Sequence, residues 1–235
     1  MKRYIVIPAR LESERLPGKM LLDETGTPLI IHTYLNAARQ ADNNWHIVIA
    51  TDSVAIEEEA KKRKIPVVMT GPATCGTHRM YLASQHLGDG VYVNVQGDTP
   101  LADLSKLETI GKLAMGSTII CTHYPKNPTM IDYSETKVVF AANGGRTLLR
   151  PMYYSREPIP HGAAKWYINS GLYAMSRDTL QMIYNGSQAI FNASEKLEQL
   201  LWLEQGYKVR SMEVAESFNI DTRGDYERFK NHIGG

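Results

Sequence analysis

Arg10, Arg15 and Lys19 place three cations on one short stretch, Pro8-Ala9-Arg10-Leu11-Glu12-Ser13-Glu14-Arg15-Leu16-Pro17-Gly18-Lys19. Arginine presents a planar donor fork that fits phosphate oxygens, and lysine adds a mobile point charge. The stretch follows an apolar run, Tyr4-Ile5-Val6-Ile7, that stops at Pro8 and has the pattern of a buried parallel strand. In open α/β sheets ligands bind beyond the carboxyl ends of the strands. Phosphate binding is the expectation for the three cations, against the plainer reading of a solvated basic loop. Neither Gly-x4-Gly-Lys-Ser/Thr nor Gly-x-Gly-x-x-Gly occurs there, so the loop is neither a Walker A turn nor a dinucleotide-binding turn.

Carboxylates come next. Val93-Asn94-Val95-Gln96-Gly97-Asp98-Thr99-Pro100 delivers Asp98 from an apolar strand, through a glycine, to the same sheet edge. Magnesium takes one or two carboxylates with phosphate oxygens and waters. Asp98 is therefore a candidate ligand, with capping of the turn before Pro100 as the alternative. Asp221, in Asn219-Ile220-Asp221-Thr222, precedes the last helix and by itself reads as an N-cap. Asp52, after Ala50-Thr51, reads the same way. The small residues of Thr70–Arg79 let a planar base approach backbone groups. Arg156 suits a substrate carboxylate or a plain surface position. Glu198 and Gln199 flank an apolar helix face of Leu197, Leu200 and Leu201, where polar side chains are usually solvated. The histidines show no HxxxH-type spacing and no Gly-x-Ser-x-Gly elbow occurs, so neither zinc nor a serine nucleophile is expected.

These residues must be carried by strands and helices. Strands are expected at residues 4–7, 46–50, 66–69 and 91–95, separated by helices from Pro28, from Asp52 as cap, and over Thr77–Leu87. That alternation implies an α/β fold with a parallel sheet. Further strands are expected at Ser117–Thr122, Thr136–Ala142, Trp166–Met175 and Lys208–Glu213. Helices are expected at Ser176–Tyr184, Ala193–Gln205 and Arg223–His232, the last capped by Asp221 or Thr222. Residues 151–164 hold three prolines and read as a structured loop. The expectation is one domain, 1–235, with the later strands forming a smaller excursion.

Charge narrows the function. Lys and Arg total 26 against 25 for Asp and Glu, which argues against a dedicated nucleic-acid binder. Cys75 and Cys121 are isolated and give no disulfide framework or metal spacing. No apolar run approaches the roughly 18 residues that span a bilayer, and the N-terminal apolar run is too short for a signal peptide. A soluble, cytoplasmic protein without a membrane partner is expected.

Together the motifs resemble the 3-deoxy-manno-octulosonate cytidylyltransferases, the CMP-KDO synthetases. The resemblance spans nearly the whole chain. It rests on Ile7–Arg10 with Arg15–Lys19, Ala50-Thr51-Asp52, Val68-Met69-Thr70, Gly76-Thr77 with Arg79, Val93–Asp98 with Pro100, Lys137-Val138-Val139, Tyr154-Ser155-Arg156 with Pro158-Ile159-Pro160, Gly171-Leu172-Tyr173, Glu195 with Leu197–Leu200, and Asp221-Thr222. It implies a Rossmann-like nucleotidyltransferase domain of three layers, a mainly parallel central sheet, and a β-containing excursion for dimerisation or site closure. It implies that Arg10, Arg15 and Lys19 cradle the CTP triphosphate and are catalytic with Asp98, that Ala9 also binds the nucleotide, and that Asp98 and Asp221 hold Mg2+. Thr70, Gly76, Thr77 and Arg79 would line the nucleotide pocket. Gln96, Arg156, Tyr173, Glu198 and Gln199 would line a pocket for an acidic sugar. It further implies a homodimer that makes a CMP-sugar for lipopolysaccharide or capsule-type glycans.

The chain departs from that pattern at several places. Gly71 stands where the family has arginine, Cys75 for a serine, Thr99 for a glutamate and Asn169 for a histidine. Phe191–Ser194 replace a Ser-Pro-Leu-Glu stretch, Leu201 replaces an arginine, and the segment between Pro160 and Trp166 is short. The phosphate and metal positions are kept while the changes gather around base and sugar. A different acidic sugar, or a metal-dependent glycosyltransferase using a nucleotide sugar, are the alternative activities. A nucleotide-binding module without turnover is a third.

Overall fold

The structure is a computed structural model that describes residues 1–13, 15–127, 130–142, 145, 147–185 and 195–234. Its chain forms two compact units, residues 1–104 with 217–235, and residues 105–216. The fold is α/β with a mainly parallel central sheet, as the alternation of apolar runs and helices implies.

Unit 1 carries β1 (Lys2–Ala9), β2 (Trp45–Thr51), β3 (Val67–Met69) and β4 (Gly90–Asn94). They lie in the order β3-β2-β1-β4, all parallel. Strands β1 to β3 progress in one direction, and β4 then returns to the other side of β1. The switch point of the sheet therefore lies between β1 and β4, where the loops after the two strands diverge and open sheets bind their ligands. The helices are α1 (Leu29–Gln40), α2 (Val54–Lys62), α3 (Gly76–Leu87) and, after unit 2, α7 (Arg223–Gly234). From Tyr4 to Ala9 every residue of β1 is buried, the signature of a strand covered on both faces.

Two boundaries of unit 1 differ from the sequence expectation. β1 runs on through Pro8, because its missing N–H falls where no partner exists. The Val95 N–H donates to the Val6 carbonyl, so Val6 faces β4, and Pro8, two residues on, faces the same way. The last β1–β4 pair is Val6 with Asn94. The cap of α2 is Ser53, which accepts the Ile56 N–H, and not Asp52. Asp52 is drawn off by Arg79, whose Nη2 lies 2.8 Å from its Oδ2.

Unit 2 carries α4 (Leu107–Leu113), β5 (Thr118–Lys126), β6 (Lys137–Phe140), β7 (Pro151–Ser155), β8 (Trp166–Ser176), α5 (Arg177–Asn185), α6 (Glu198–Glu204) and β9 (Lys208–Glu213). β5 pairs antiparallel with β8 and parallel with β9, and β6 pairs antiparallel with β7 and with β8. α4 has no counterpart in the sequence expectation: Leu107 and Ile110 keep helical spacing, but Gly111 and Gly116 weaken the pattern. Residues 151–155 form a strand and not a loop. Pro151 is its first residue, opposite a register shift in β6, and both placements tolerate a missing N–H. α6 starts at Glu198; the expected start at Ala193 lies outside the described residues, as do Glu14 and Phe191–Ser194.

The core of unit 2 contains a titratable group. His123 is 1% exposed, its Nδ1 is 2.8 Å from Ser211 Oγ, and its ring packs on Phe140 and Tyr167. Burial disfavours the charged ring and lowers its pKa to about 4. The unfolded chain, with a histidine near ~6.5, binds the proton first as pH falls. Stability is fully present above that value and is lost progressively towards pH ~4. Urea midpoints of the wild type should fall across this window more steeply than those of His123→Gln. Parallel profiles would show that another group controls the acid limb.

Candidate active site

The site begins at the switch point. Gly18 has φ +65°, a left-handed conformation that suits glycine, and opens a single 3-10 turn, Lys19–Leu21. That turn buries Lys19, 7% exposed, with its ammonium against three oxygens. Lys19 Nζ donates to Asp98 Oδ2 at 2.6 Å, to the Ile220 carbonyl at 3.0 Å and to Asp221 Oδ1 at 3.1 Å. All three lysine donors are thus used. Arg15 Nη2 adds a second contact to Asp221 Oδ1 at 2.8 Å. One lysine and one arginine of the basic loop therefore join both candidate metal carboxylates, which lie far apart in the sequence.

Backbone and packing bring the parts together. The Ile220 N–H donates to the Asp98 carbonyl at 2.9 Å. Leu29, Ile220, Tyr226 and Phe229 form one buried cluster, against which Leu16, Leu22 and Leu101 pack. The cluster thus gathers the basic loop, the segment after Asp98, the residue before Asp221 and helix α7. Burying four such side chains contributes several kcal/mol, enough to hold the charged groups at one place.

Both carboxylates are free of the capping roles that the sequence left open. Thr222 and Asp225 cap α7 reciprocally: the Thr222 N–H donates to Asp225 Oδ2 at 2.8 Å, and the Asp225 N–H to Thr222 Oγ1 at 3.2 Å. The Thr-x-x-Asp spacing is a capping box that the sequence does contain. At Asp98, the turn is closed by Thr99, whose N–H and hydroxyl both donate to the Gln96 carbonyl.

Gly97 is required by contact. A Cβ there would lie 2.8 Å from the Pro8 carbonyl oxygen, 3.1 Å from Ile30 Cδ1 and 3.2 Å from Met20 Sδ. Its own carbonyl accepts from Thr33 Oγ1 at 2.8 Å. Gly97→Ala should cost about 1–3 kcal/mol in overpacking. It should also cut turnover roughly 100-fold, the scale of a 1 Å displacement at a reacting centre. Urea midpoints and steady-state rates check both; unchanged turnover in a destabilised variant would separate Gly97 from the position of Asp98.

The other nucleotide candidates lie in unit 1. Ala9 is buried at the end of β1, paired with Thr51. Arg10 is exposed and, among the described residues, its guanidinium has no partner. With Leu11, Glu12, Ser13, Pro17 and Gly18 it lines an open cavity of about 430 Å³. Gly76 and Thr77 form the first turn of α3, capped by Cys75 Sγ accepting the His78 N–H. Arg79, 4% exposed, is committed to protein: Nη1 donates to Thr70 Oγ1 and Nη2 to Asp52 Oδ2, each at 2.8 Å. It braces the ends of β2 and β3 through Asp52 and Thr70. At Gly71 a Cβ would meet nothing within 4 Å.

Of the sugar candidates, Gln96 belongs to unit 1, and Arg156, Tyr173, Glu198 and Gln199 to unit 2. Tyr173 is buried on β8; its hydroxyl donates to Glu198 Oε2 at 3.2 Å, and its ring meets Trp202 at 5.1 Å. Gln199 follows Glu198 on α6 and is buried. Arg156 is exposed just after β7 and has no side-chain partner among the described residues. Glu195, which the sequence singles out only through the resemblance, accepts the Arg156 N–H.

A family model described as cytidylyltransferase matches residues 4–231. The chain belongs to the cytidylyltransferase family. Within it, the chain is 34% identical to the 3-deoxy-manno-octulosonate cytidylyltransferase of Chlorobaculum tepidum, over 98% of this chain and 96% of that protein. The protein of that name from Anaeromyxobacter sp. is 34% identical over 95% and 93%. A solved CMP:2-keto-3-deoxy-manno-octonic acid synthetase complexed with CTP superposes with a TM-score of 0.87 at 29% identity, covering 100% of this chain and 99% of that one. The UTP-bound UGPase of Acinetobacter baumannii, TM-score 0.69 at 13% identity, shares the fold of this cytidylyltransferase and no more.

Proposed function

We propose that this cytidylyltransferase activates 3-deoxy-manno-octulosonate, joining it to CMP from CTP and releasing pyrophosphate. The observation that carries the reading is the convergence of Lys19 and Arg15 with Asp98 and Asp221 at the switch point of the sheet. The full-length similarity to relatives bearing that activity in their names supports the sugar and the nucleotide. In the reaction the anomeric hydroxyl oxygen of the sugar bonds to the α-phosphorus of CTP. The bond from that phosphorus to the α–β bridging oxygen breaks, pyrophosphate leaves, and the hydroxyl proton is lost. No covalent enzyme intermediate is needed, because positioning and charge neutralisation supply most of the acceleration.

The residues fit a magnesium ion. Asp98 and Asp221 turn hard oxygens onto one point that a cationic nitrogen already occupies, the donor set that magnesium prefers beside phosphate and water. Among the described residues no three His, Cys, Asp or Glu side chains converge, so the remaining ligands would be phosphate oxygens and water. When bound, the ion supplies neutralisation of phosphate charge. Arg10 offers to the phosphates a guanidinium that has no partner among the described residues, and Arg15 adds positive charge while holding Asp221. Arg156 reads the sugar carboxylate.

A homodimer is part of the reading. It is supported by the exposure of Met130, Ile131, Tyr133, Met152 and Tyr153, all in unit 2. The place of action is the cytoplasm, with the product serving lipopolysaccharide or a related glycan. No helix of the described residues is long and apolar enough to cross a membrane. The test is pyrophosphate release from four nucleoside triphosphates against a panel of acidic sugars, with magnesium varied. CTP with 3-deoxy-manno-octulosonate should give the highest kcat/KM. A higher value with another sugar or nucleotide, or consumption of a nucleotide sugar without pyrophosphate, would overturn the assignment.

A further inference from the structure

Arg156 combines a side chain that has no partner among the described residues with a fixed backbone. Both of its main-chain polar groups are held by charged side chains from other segments. Its N–H donates to Glu195 Oε2 at 3.1 Å. Its carbonyl accepts from Lys137 Nζ at 2.8 Å. Lys137 is fully buried and spends its other donors on the carbonyls of Glu135, at 2.9 Å, and Asp132. Its ammonium lies 5.5 Å from the Trp166 ring centroid and 5.9 Å from that of Tyr133. The other carboxylate oxygen of Glu195 accepts from Ser155 Oγ, which in turn accepts the Glu157 N–H at 3.0 Å. Glu195 therefore ties three consecutive residues, 155 to 157. Its own position is set by the cluster of Val138, Tyr154, Leu197 and Leu200, which fastens the start of α6 to β6 and β7.

We infer that Glu195 is a positioning residue for sugar recognition: with Lys137 it clamps the backbone of Arg156, so that the guanidinium meets the substrate carboxylate from a fixed anchor point. The inference rests on Arg156 reading that carboxylate. A fully buried lysine must have its donors hydrogen-bonded, and Lys137 gives one of its three to the carbonyl of an exposed residue, a bond that a simple turn does not need. Preorganisation of this kind removes an ordering cost from binding and leaves the groups that handle phosphate untouched.

Steady-state kinetics with 3-deoxy-manno-octulosonate and CTP test it. Glu195→Ala should raise the sugar KM about 10-fold, with kcat and the CTP KM within about 2-fold, the pattern of lost ground-state binding. Glu195→Gln keeps an acceptor for the Arg156 N–H and a partner for Ser155, and should restore the sugar KM to within about 3-fold of wild type. Placed in an Arg156→Ala background, Glu195→Ala should add less than about 2-fold, because residues acting through one group are not additive. An unchanged sugar KM in Glu195→Ala would overturn the inference, as would a matching rise in the CTP KM or a multiplicative effect in the double variant. If Arg156→Ala itself leaves the sugar KM unchanged, the assignment of the carboxylate to Arg156 falls, and the inference with it. Melting temperatures of the Ala and Gln variants separate loss of the clamp from loss of fold.

Discussion

Asp221→Asn should lower turnover at least ~100-fold, the scale of losing one electrostatic contact in the transition state. The variant keeps size and hydrogen-bonding capacity and removes only charge. Had Asp221 served as the cap of α7, asparagine would replace it almost silently. That role belongs to Thr222 and Asp225, so Thr222→Ala is the contrasting variant. It should cost about 1 kcal/mol of stability and leave kcat within a few-fold. Asp98→Asn should match Asp221→Asn in turnover, since Lys19 touches both carboxylates. The Asp98→Asn/Asp221→Asn double variant should cost far less than the product of the singles, because either loss disables one shared site. Raised magnesium should restore part of the activity of each single variant. Normal turnover at low magnesium in either would remove that residue from the metal site.

The second large effect is expected at Lys19. Lys19→Met leaves Asp98 and Asp221 facing the same point without the ammonium between them. The lost charge-assisted hydrogen bonds should cost about 2 kcal/mol, a fall of roughly 4–8 °C in melting temperature for a chain of this size. Millimolar magnesium should raise the melting temperature of the variant more than that of the wild type, because the cation replaces the missing charge. Turnover should fall ~100-fold or more at any magnesium concentration, since Lys19 holds both carboxylates in place. Thermal melts with and without magnesium, beside steady-state rates, check the two halves separately. A ligand-free melting temperature equal to that of the wild type would show that the bridge contributes nothing to the fold.

The strands of unit 1 are legible because a strand buried on both faces reads as a continuous apolar run, as β1 and β4 do, and the partly buried β2 and β3 keep the same apolar pattern. Prolines are poor guides to the strand ends here. Pro8 and Pro151 both lie in strands, since a missing N–H is costless wherever the neighbouring strand has ended or has not begun. The identity of the site residues was legible in type. Their partners were not, because the contacts that decide their roles are long-range. Asp221 looks like a cap from its neighbours in sequence, and its contacts with Lys19, 202 positions away, and with Arg15 show otherwise. Arg79 looks like a free cation until Thr70 and Asp52 are found against it. The clamp on Arg156 was hidden for the same reason. Glu195 lies 39 residues from the N–H it accepts, and nothing local marks it.

The interruption of unit 1 by residues 105–216 orders events during synthesis. Lys19 and Asp98 leave the ribosome early, and Asp221 follows only after all of unit 2 has been made. Until then the nascent chain has no α7 to cover Leu29 and no second carboxylate for the lysine. Joining the late segment to the early one costs little extra for the length between them, because closure entropy grows only logarithmically. Domains generally fold as units, N-terminal first, but this one must wait. Its catalytic competence is therefore among the last properties the emerging polypeptide acquires, and a product of premature termination inside unit 2 would carry all four strands of unit 1 and three of the four charged groups, lacking Asp221.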